Sequence, residues 1–99
     1  MAPALLAALG SRPRHGYDLM QVLEQHELGR LRGGTVYPLL RRLEERGWVA
    51  ATWDTTRPGA ARKTYELTPE GAAALESALH EWNRIGARLE ALRHEGSPG

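Results

Sequence analysis

The stretch from Gly33 to Val49, GGTVYPLLRRLEERGWV, constrains this chain more than any other. It reads as a short helix marked at both ends. Thr35 is a good N-cap, because its hydroxyl can accept from an orphan backbone N–H of the first turn. Pro38 then falls within that turn, where its missing N–H breaks no intrahelical bond. Gly47 suits the left-handed stop position, with Arg42 and Arg46 near the negative end of the dipole. Val36, Leu39, Leu40 and Leu43 share one side at helical spacing. Tyr37, Pro38, Arg41 and Glu45 project the other way. A helix anchored by aliphatics that presents an aromatic and an arginine has the build of one that enters a DNA major groove. The alternative for this stretch alone is an ordinary amphipathic helix with a solvated arginine face.

The charge distribution supports the first reading. The net charge is only +1, which says nothing about nucleic acid. From Arg30 to Lys63, however, eight basic residues stand against three acidic ones, a local net of +5. The segment before it carries −1 and the segment after it −3. Positive charge is thus concentrated on the helix and the residues just beyond it, as an electrostatic footprint for phosphate requires.

Around this helix the chain reads as one small domain with a long appendage. Its 99 residues allow one modest core. Pro3 to Leu9 is apolar and helix-prone, with Gly10 expected to stop it, and Ser11-Arg12-Pro13-Arg14 reads as a turn. His15-Gly16-Tyr17 leads into a second helix through about His26, with Leu19, Val22 and Leu23 inward. The second and third helices, joined by a short connection, form a helix-turn-helix pattern.

The period then changes from helix to strand. Trp48 to Trp53 has bulky residues at strand spacing, and Lys63-Thr64-Tyr65-Glu66-Leu67 alternates with Tyr65 and Leu67 inward. Between them, Asp54 to Arg62 is rich in turn residues and ends in arginine. Two strands and a loop after a helix-turn-helix make a wing. Arg57, Arg62 and Lys63 lie on or beside its tip, where phosphate contact is expected, a solvated hairpin being the alternative.

Thr68-Pro69-Glu70 restarts a helix with a capping hydroxyl, proline at the first helical position and an acid at the positive dipole end. This helix is expected to run to about Arg93. Gly71, Leu75, Ala78, Trp82, Ile85, Leu89 and Leu92 recur at alternating steps of four and three, which is heptad spacing. So much apolar face predicts pairing with a second copy of the chain through Leu75, Ala78, Trp82, Ile85, Leu89 and Leu92; packing on the first helix is the alternative. Trp82 approaches the two-fold axis of such a pair. It either fills core volume there or, with its symmetry mate, stacks on a small aromatic effector, Gly86 keeping one side open. The expected organisation is a DNA-binding unit over 1–67, a dimerisation helix over 68–95 and a flexible tail over 96–99.

The chain carries no sign of catalysis, cofactor or metal. The four histidines, His15, His26, His80 and His94, lack metal-ligand spacing, and His80-Glu81 lacks the second histidine of a zinc-protease helix. Ser11, Ser77 and Ser97 lie in no nucleophile motif. Gly33-Gly34 is too short for a phosphate-binding loop and lacks its lysine and hydroxyl. The absence of cysteine suits a cytoplasmic protein. No apolar run is long enough to span a bilayer, and the first residues lack the basic segment of a signal peptide.

Four segments in register resemble the PadR-like family of bacterial transcriptional regulators. They are His15-Gly16-Tyr17, the run from Gly34 to Gly47, Arg62-Lys63-Thr64-Tyr65, and Leu67-Thr68-Pro69-Glu70-Gly71. The resemblance implies a mostly α winged helix-turn-helix, with three helices and a two-stranded β wing, and a long C-terminal dimerisation helix. It also implies a repressor released by a small molecule. The joint expectation is a homodimer on an inverted-repeat operator in double-stranded DNA. Thr35, Tyr37 and Arg41 would enter the major groove, with Arg42, Arg57, Arg62 and Lys63 on phosphates. A winged-helix module that binds a protein partner remains the alternative.

Overall fold

In the computed structural model, which describes residues 2–28, 33–54 and 62–95, seven elements succeed one another. They are α1 (Ala2–Ser11), β1 (Arg14–His15), α2 (Gly16–Gln25), α3 (Gly33–Glu45), β2 (Val49–Asp54), β3 (Arg62–Leu67) and α4 (Pro69–Glu95). The aliphatic stripes of the first three helices meet in one core. Leu5, Leu6 and Leu9 of α1, Leu19 and Leu23 of α2, and Val36, Leu40 and Leu43 of α3 are all buried there, closed by Val49 and Tyr65 of the sheet. Leu39, Val22 and Met20 flank it, partly buried.

The sheet has three antiparallel strands in the order β1-β3-β2, not the two of the expected wing. Arg14 and His15, expected in a turn and at the entrance of the second helix, pair with Tyr65 and Thr64. A two-residue strand carries no period for a sequence pattern to reveal. The Arg14 guanidinium turns back on α1: its Nε donates to the Ala8 carbonyl at 2.8 Å, satisfying an end carbonyl. Gly10 does not stop α1, which continues to Ser11. The nearby Pro13 accounts for the break, since proline cannot continue a helix.

The third helix begins at Gly33, two residues before the expected cap, so Thr35 lies inside the first turn rather than capping it. Pro38 is accordingly inside the helix and withholds one bond, to the Gly34 carbonyl. The C-terminus matches expectation. Gly47 has φ +77°, Trp48 N–H donates to the Leu43 carbonyl, and Gly47 N–H donates to that of Glu44, both at 3.0 Å. The same pair of bonds ends α2, but there Glu27 takes the left-handed position at φ +60°, a conformation in which its Cβ is strained.

A knot of hydrogen bonds joins the end of α3 to the start of α4. Thr68 caps α4 by accepting from Gly71 N–H at 3.0 Å, while its hydroxyl donates to the Gly47 carbonyl at 2.6 Å. Its backbone N–H donates to the Trp48 carbonyl at 3.1 Å. Gly71 is buried at this joint, where a Cβ would stand 1.9 Å from the Trp48 carbonyl oxygen.

The first third of α4 is therefore not a free pairing face. Gly71, expected to open that face, is buried in its own protomer, and Leu75 is partly buried there. Leu75 packs against the core, its Cδ2 3.6 Å from where a Cβ on Gly10 would stand. Ala78 is half-buried, and from Leu79 to Glu95 every residue is exposed. The helix has 27 residues, about 40 Å at 1.5 Å per residue. The molecule is correspondingly elongated, 69 × 26 × 21 Å. The face that carries Gly71, Leu75 and Ala78 continues outward as Trp82, Ile85, Leu89 and Leu92, 66, 40, 60 and 64% exposed. No helix among the described residues is long and apolar enough to cross a membrane.

Candidate nucleic-acid interface

Beside α3 lies an open groove of about 870 Å³, floored by Tyr65. Its walls come from five elements. β1 supplies His15 and the start of α2 Gly16, Tyr17 and Asp18; α3 supplies Tyr37, Arg41 and Glu44; the wing strands supply Trp53, Arg62 and Lys63. Positions 37, 41 and 44 are one helical stripe, at steps of four and three, adjoining the buried stripe of Val36, Leu40 and Leu43.

Each wall is fixed by local structure. Tyr37 lies across the first turn of α2, with its ring so close to Gly16 that a Cβ there would stand 2.6 Å from Cε1. Gly16 is therefore the residue that lets the two helices of the helix-turn-helix approach. Tyr37 still keeps 47% of its surface exposed, so it packs the motif and faces the groove at once. His15 ties the wing to the entrance of α2, its Nδ1–H donating to the Lys63 carbonyl at 3.2 Å. Tyr65, in the central strand, is buried. That burial holds its phenol above the usual range, the Glu44 carboxylate adding to the effect and Arg41 opposing it.

Of the residues expected to meet DNA, the groove gathers Tyr37, Arg41, Arg62 and Lys63. Thr35 and Arg42 lie on α3 outside it, both exposed, Thr35 on the first turn. Arg57 lies outside the described residues. Lys63 is less free than a wing-tip cation: Glu44 Oε1 is 3.6 Å from its ammonium, and the Trp53 ring centre is 5.6 Å away. Sequence reasoning did not single out Tyr17, Asp18, Glu44 or Trp53 for this surface. The usable signal was spacing: Glu44 comes seven residues after Tyr37 and three after Arg41, and Trp53 faces Lys63 across the hairpin. Among the described residues no three His, Asp or Glu side chains gather where they could hold a metal ion.

A winged helix-turn-helix whose recognition helix and wing share a cationic, aromatic groove defines a class of transcriptional regulators. The model of the transcriptional regulator PadR-like family matches residues 5–77, and the chain belongs to that family. The family is one of regulators, not enzymes. A transcriptional regulator of Mycobacterium tuberculosis, Rv3488, is 43% identical over 61 residues, 62% of this chain and 55% of that protein. An uncharacterized 37.1 kDa protein in a transposon of Streptomyces fradiae is 33% identical over 85 residues, 86% of this chain and 24% of that protein. Among solved structures, a PadR family transcriptional regulator from Eggerthella lenta superposes with a TM-score of 0.78 at 33% identity, covering 91% of this chain and 74% of that one. A PadR-like transcription factor from Bacteroides fragilis gives 0.84 at 25% identity, covering 92% and 87%.

Proposed function

We propose that this chain is a DNA-binding transcriptional repressor that acts as a homodimer through α4 on an inverted-repeat operator. The observation that carries the reading is the groove in which Tyr37 and Arg41 of α3 stand beside Arg62 and Lys63 of the wing. Arg41 is exposed one turn beyond Tyr37, within reach of a base edge when α3 lies in a major groove. Arg42, Arg57 and Arg62 serve the backbone, where cations fix register without reading sequence. Thr35, exposed on the first turn of α3 beside that groove, is the third residue assigned to the DNA major groove.

The two classes of arginine behave differently on substitution. Arg41→Ala costs about 1–3 kcal/mol on the preferred duplex and relaxes the preference at one base pair. Arg62→Ala weakens all duplexes alike and lowers the slope of log K against log salt by about one unit for each protomer, about two for the dimer. Quantitative binding to a library of single-base variants separates them; equal loss of specificity from both substitutions refutes the assignment. A two-fold protein reads two-fold DNA, so the half-sites are about 34–36 Å apart. Footprinting that protects one asymmetric half-site contradicts this part.

Effector release is the finer part of the proposal. In a dimer built on α4, the exposed Trp82 of each protomer flanks the two-fold axis, and nothing among the described residues lies within 4 Å of a Cβ placed on Gly86. A planar aromatic compound stacked between the two indoles changes the spacing of the recognition helices. It does so only by its differential affinity for the two spacings, typically about 1–3 kcal/mol. Aromatic compounds are screened for release of the protein from its preferred duplex, then retested on Trp82→Ala. Release that survives the substitution unchanged places the site elsewhere.

A further inference from the structure

The groove contains two carboxylates where a phosphate-binding surface has no evident use for one, Asp18 of α2 and Glu44 of α3, and only Glu44 stands against a wing cation. Glu44 lies on the same stripe of α3 as Tyr37 and Arg41. Its Oε1 is 3.6 Å from the Lys63 ammonium, and the two side chains keep 30 and 36% exposure, so solvent and DNA can reach both. The Trp53 ring holds the same ammonium from the other strand of the hairpin. Lys63 therefore has two partners on the protein before any phosphate arrives. A phosphate that approaches it must also approach Glu44.

We propose, on the DNA-binding reading above, that Glu44 is a specificity residue which holds Lys63 back from unselective phosphate contact and opposes backbone phosphate in the groove. Binding to unrelated duplex rests almost wholly on phosphate neutralisation. A fixed negative charge in the groove penalises every unrelated register. In the preferred register base contacts by Arg41 offset the same penalty. Specificity is a difference of affinities, and a repulsive element raises it as effectively as a new attraction. The Glu44 carboxylate also adds to the raised pKa of the neighbouring Tyr65 phenol, whose main cause is burial.

The test compares the full-length wild type, Glu44→Gln and Glu44→Gln/Lys63→Gln. Each is titrated with a random-sequence duplex of about 30 base pairs, which holds two half-sites one helical turn apart, and with the duplex that the wild type selects from a random pool. Both titrations run over a salt series, with thermal melts alongside. Glu44→Gln is expected to bind the random duplex about tenfold tighter, with a salt slope steeper by about two units, one for the Lys63 of each protomer. Its affinity for the selected duplex rises less, so the ratio falls. The second substitution removes the added slope. The proposal is overturned if Glu44→Gln leaves random-duplex affinity and slope unchanged. It is equally overturned if both duplexes bind more weakly with a lowered melting temperature, which is how a simple brace between α3 and the wing behaves. Wild type without salt-dependent duplex binding overturns the DNA-binding reading itself, and this proposal with it.

Discussion

Gly71→Ala is expected to destabilise the protein by about 3 kcal/mol or more, at the upper end of what overpacking costs. The added Cβ would stand 1.9 Å from the Trp48 carbonyl oxygen and 2.8 Å from Leu67 Cδ1. The first of these is backbone, so no rotamer change relieves it. The first turn of α4 must move away from the end of α3. The bonds that join them then lengthen together: Thr68 hydroxyl to Gly47, Thr68 N–H to Trp48, and Gly71 N–H to Thr68. For a chain of this size the melting temperature falls by roughly 12–24 °C. Thermal and urea unfolding measure it. A loss under about 1 kcal/mol, well below the usual cost of overpacking, shows that α4 is free to pivot at this joint and contradicts a rigid connection.

Leu89→Glu with Leu92→Glu is expected to give monomers and to lower operator affinity by orders of magnitude, with little change in protomer stability. Both leucines lie on the outer part of α4, more than half exposed in the protomer. Substitution at such sites usually changes stability by no more than about 0.5 kcal/mol. In a dimer the same positions are enclosed, and the interface then buries the added carboxylates of both protomers against apolar neighbours. Leu75→Glu is the contrasting control, because Leu75 packs against the core of its own protomer, so its melting temperature is expected to fall where that of Leu89→Glu/Leu92→Glu does not. Sedimentation at micromolar concentration, with melts of the same samples, separates the two outcomes. Wild type that sediments as a monomer at that concentration rules out the dimer.

The difference between Leu75 and Leu89 also marks what the sequence could convey. Heptad spacing identified one continuous apolar face on α4, and the face is there. Spacing alone cannot say which neighbour covers which part of it. That is decided in three dimensions, by Gly71, whose missing side chain lets the β2 entrance approach the first turn of the helix, and by Leu75, which packs against the core of its own protomer. The third helix was legible because its signals are local: aliphatics at helical steps and a glycine at the left-handed stop. Its start was not, because two glycines before Thr35 carry no propensity that separates loop from first turn, and the hydroxyl offered a plausible cap. The strand Arg14–His15 was invisible because its pairing with Thr64 and Tyr65 is fixed by tertiary contacts alone.

The candidate interface was legible as a set of cations and illegible as a surface. Arg41, Arg62 and Lys63 could be named from charge and periodicity. That Lys63 is already held by Glu44 and Trp53 depends on how α3 meets the wing, a contact between segments distant in the chain. Tyr37 likewise read as an outward aromatic, and its packing on Gly16 emerges only when the two helices are brought together.

The central claim is that this surface binds duplex DNA through its phosphates, and the salt dependence of wild-type binding tests it most directly. Arg42, Arg57 and Arg62 in each of two protomers give about six phosphate contacts, so log K against log salt should fall with a slope of about −5 between roughly 50 and 200 mM. A slope shallower than about −2, or no duplex binding at micromolar protein, would contradict the claim and leave the protein-partner module as the reading of this fold.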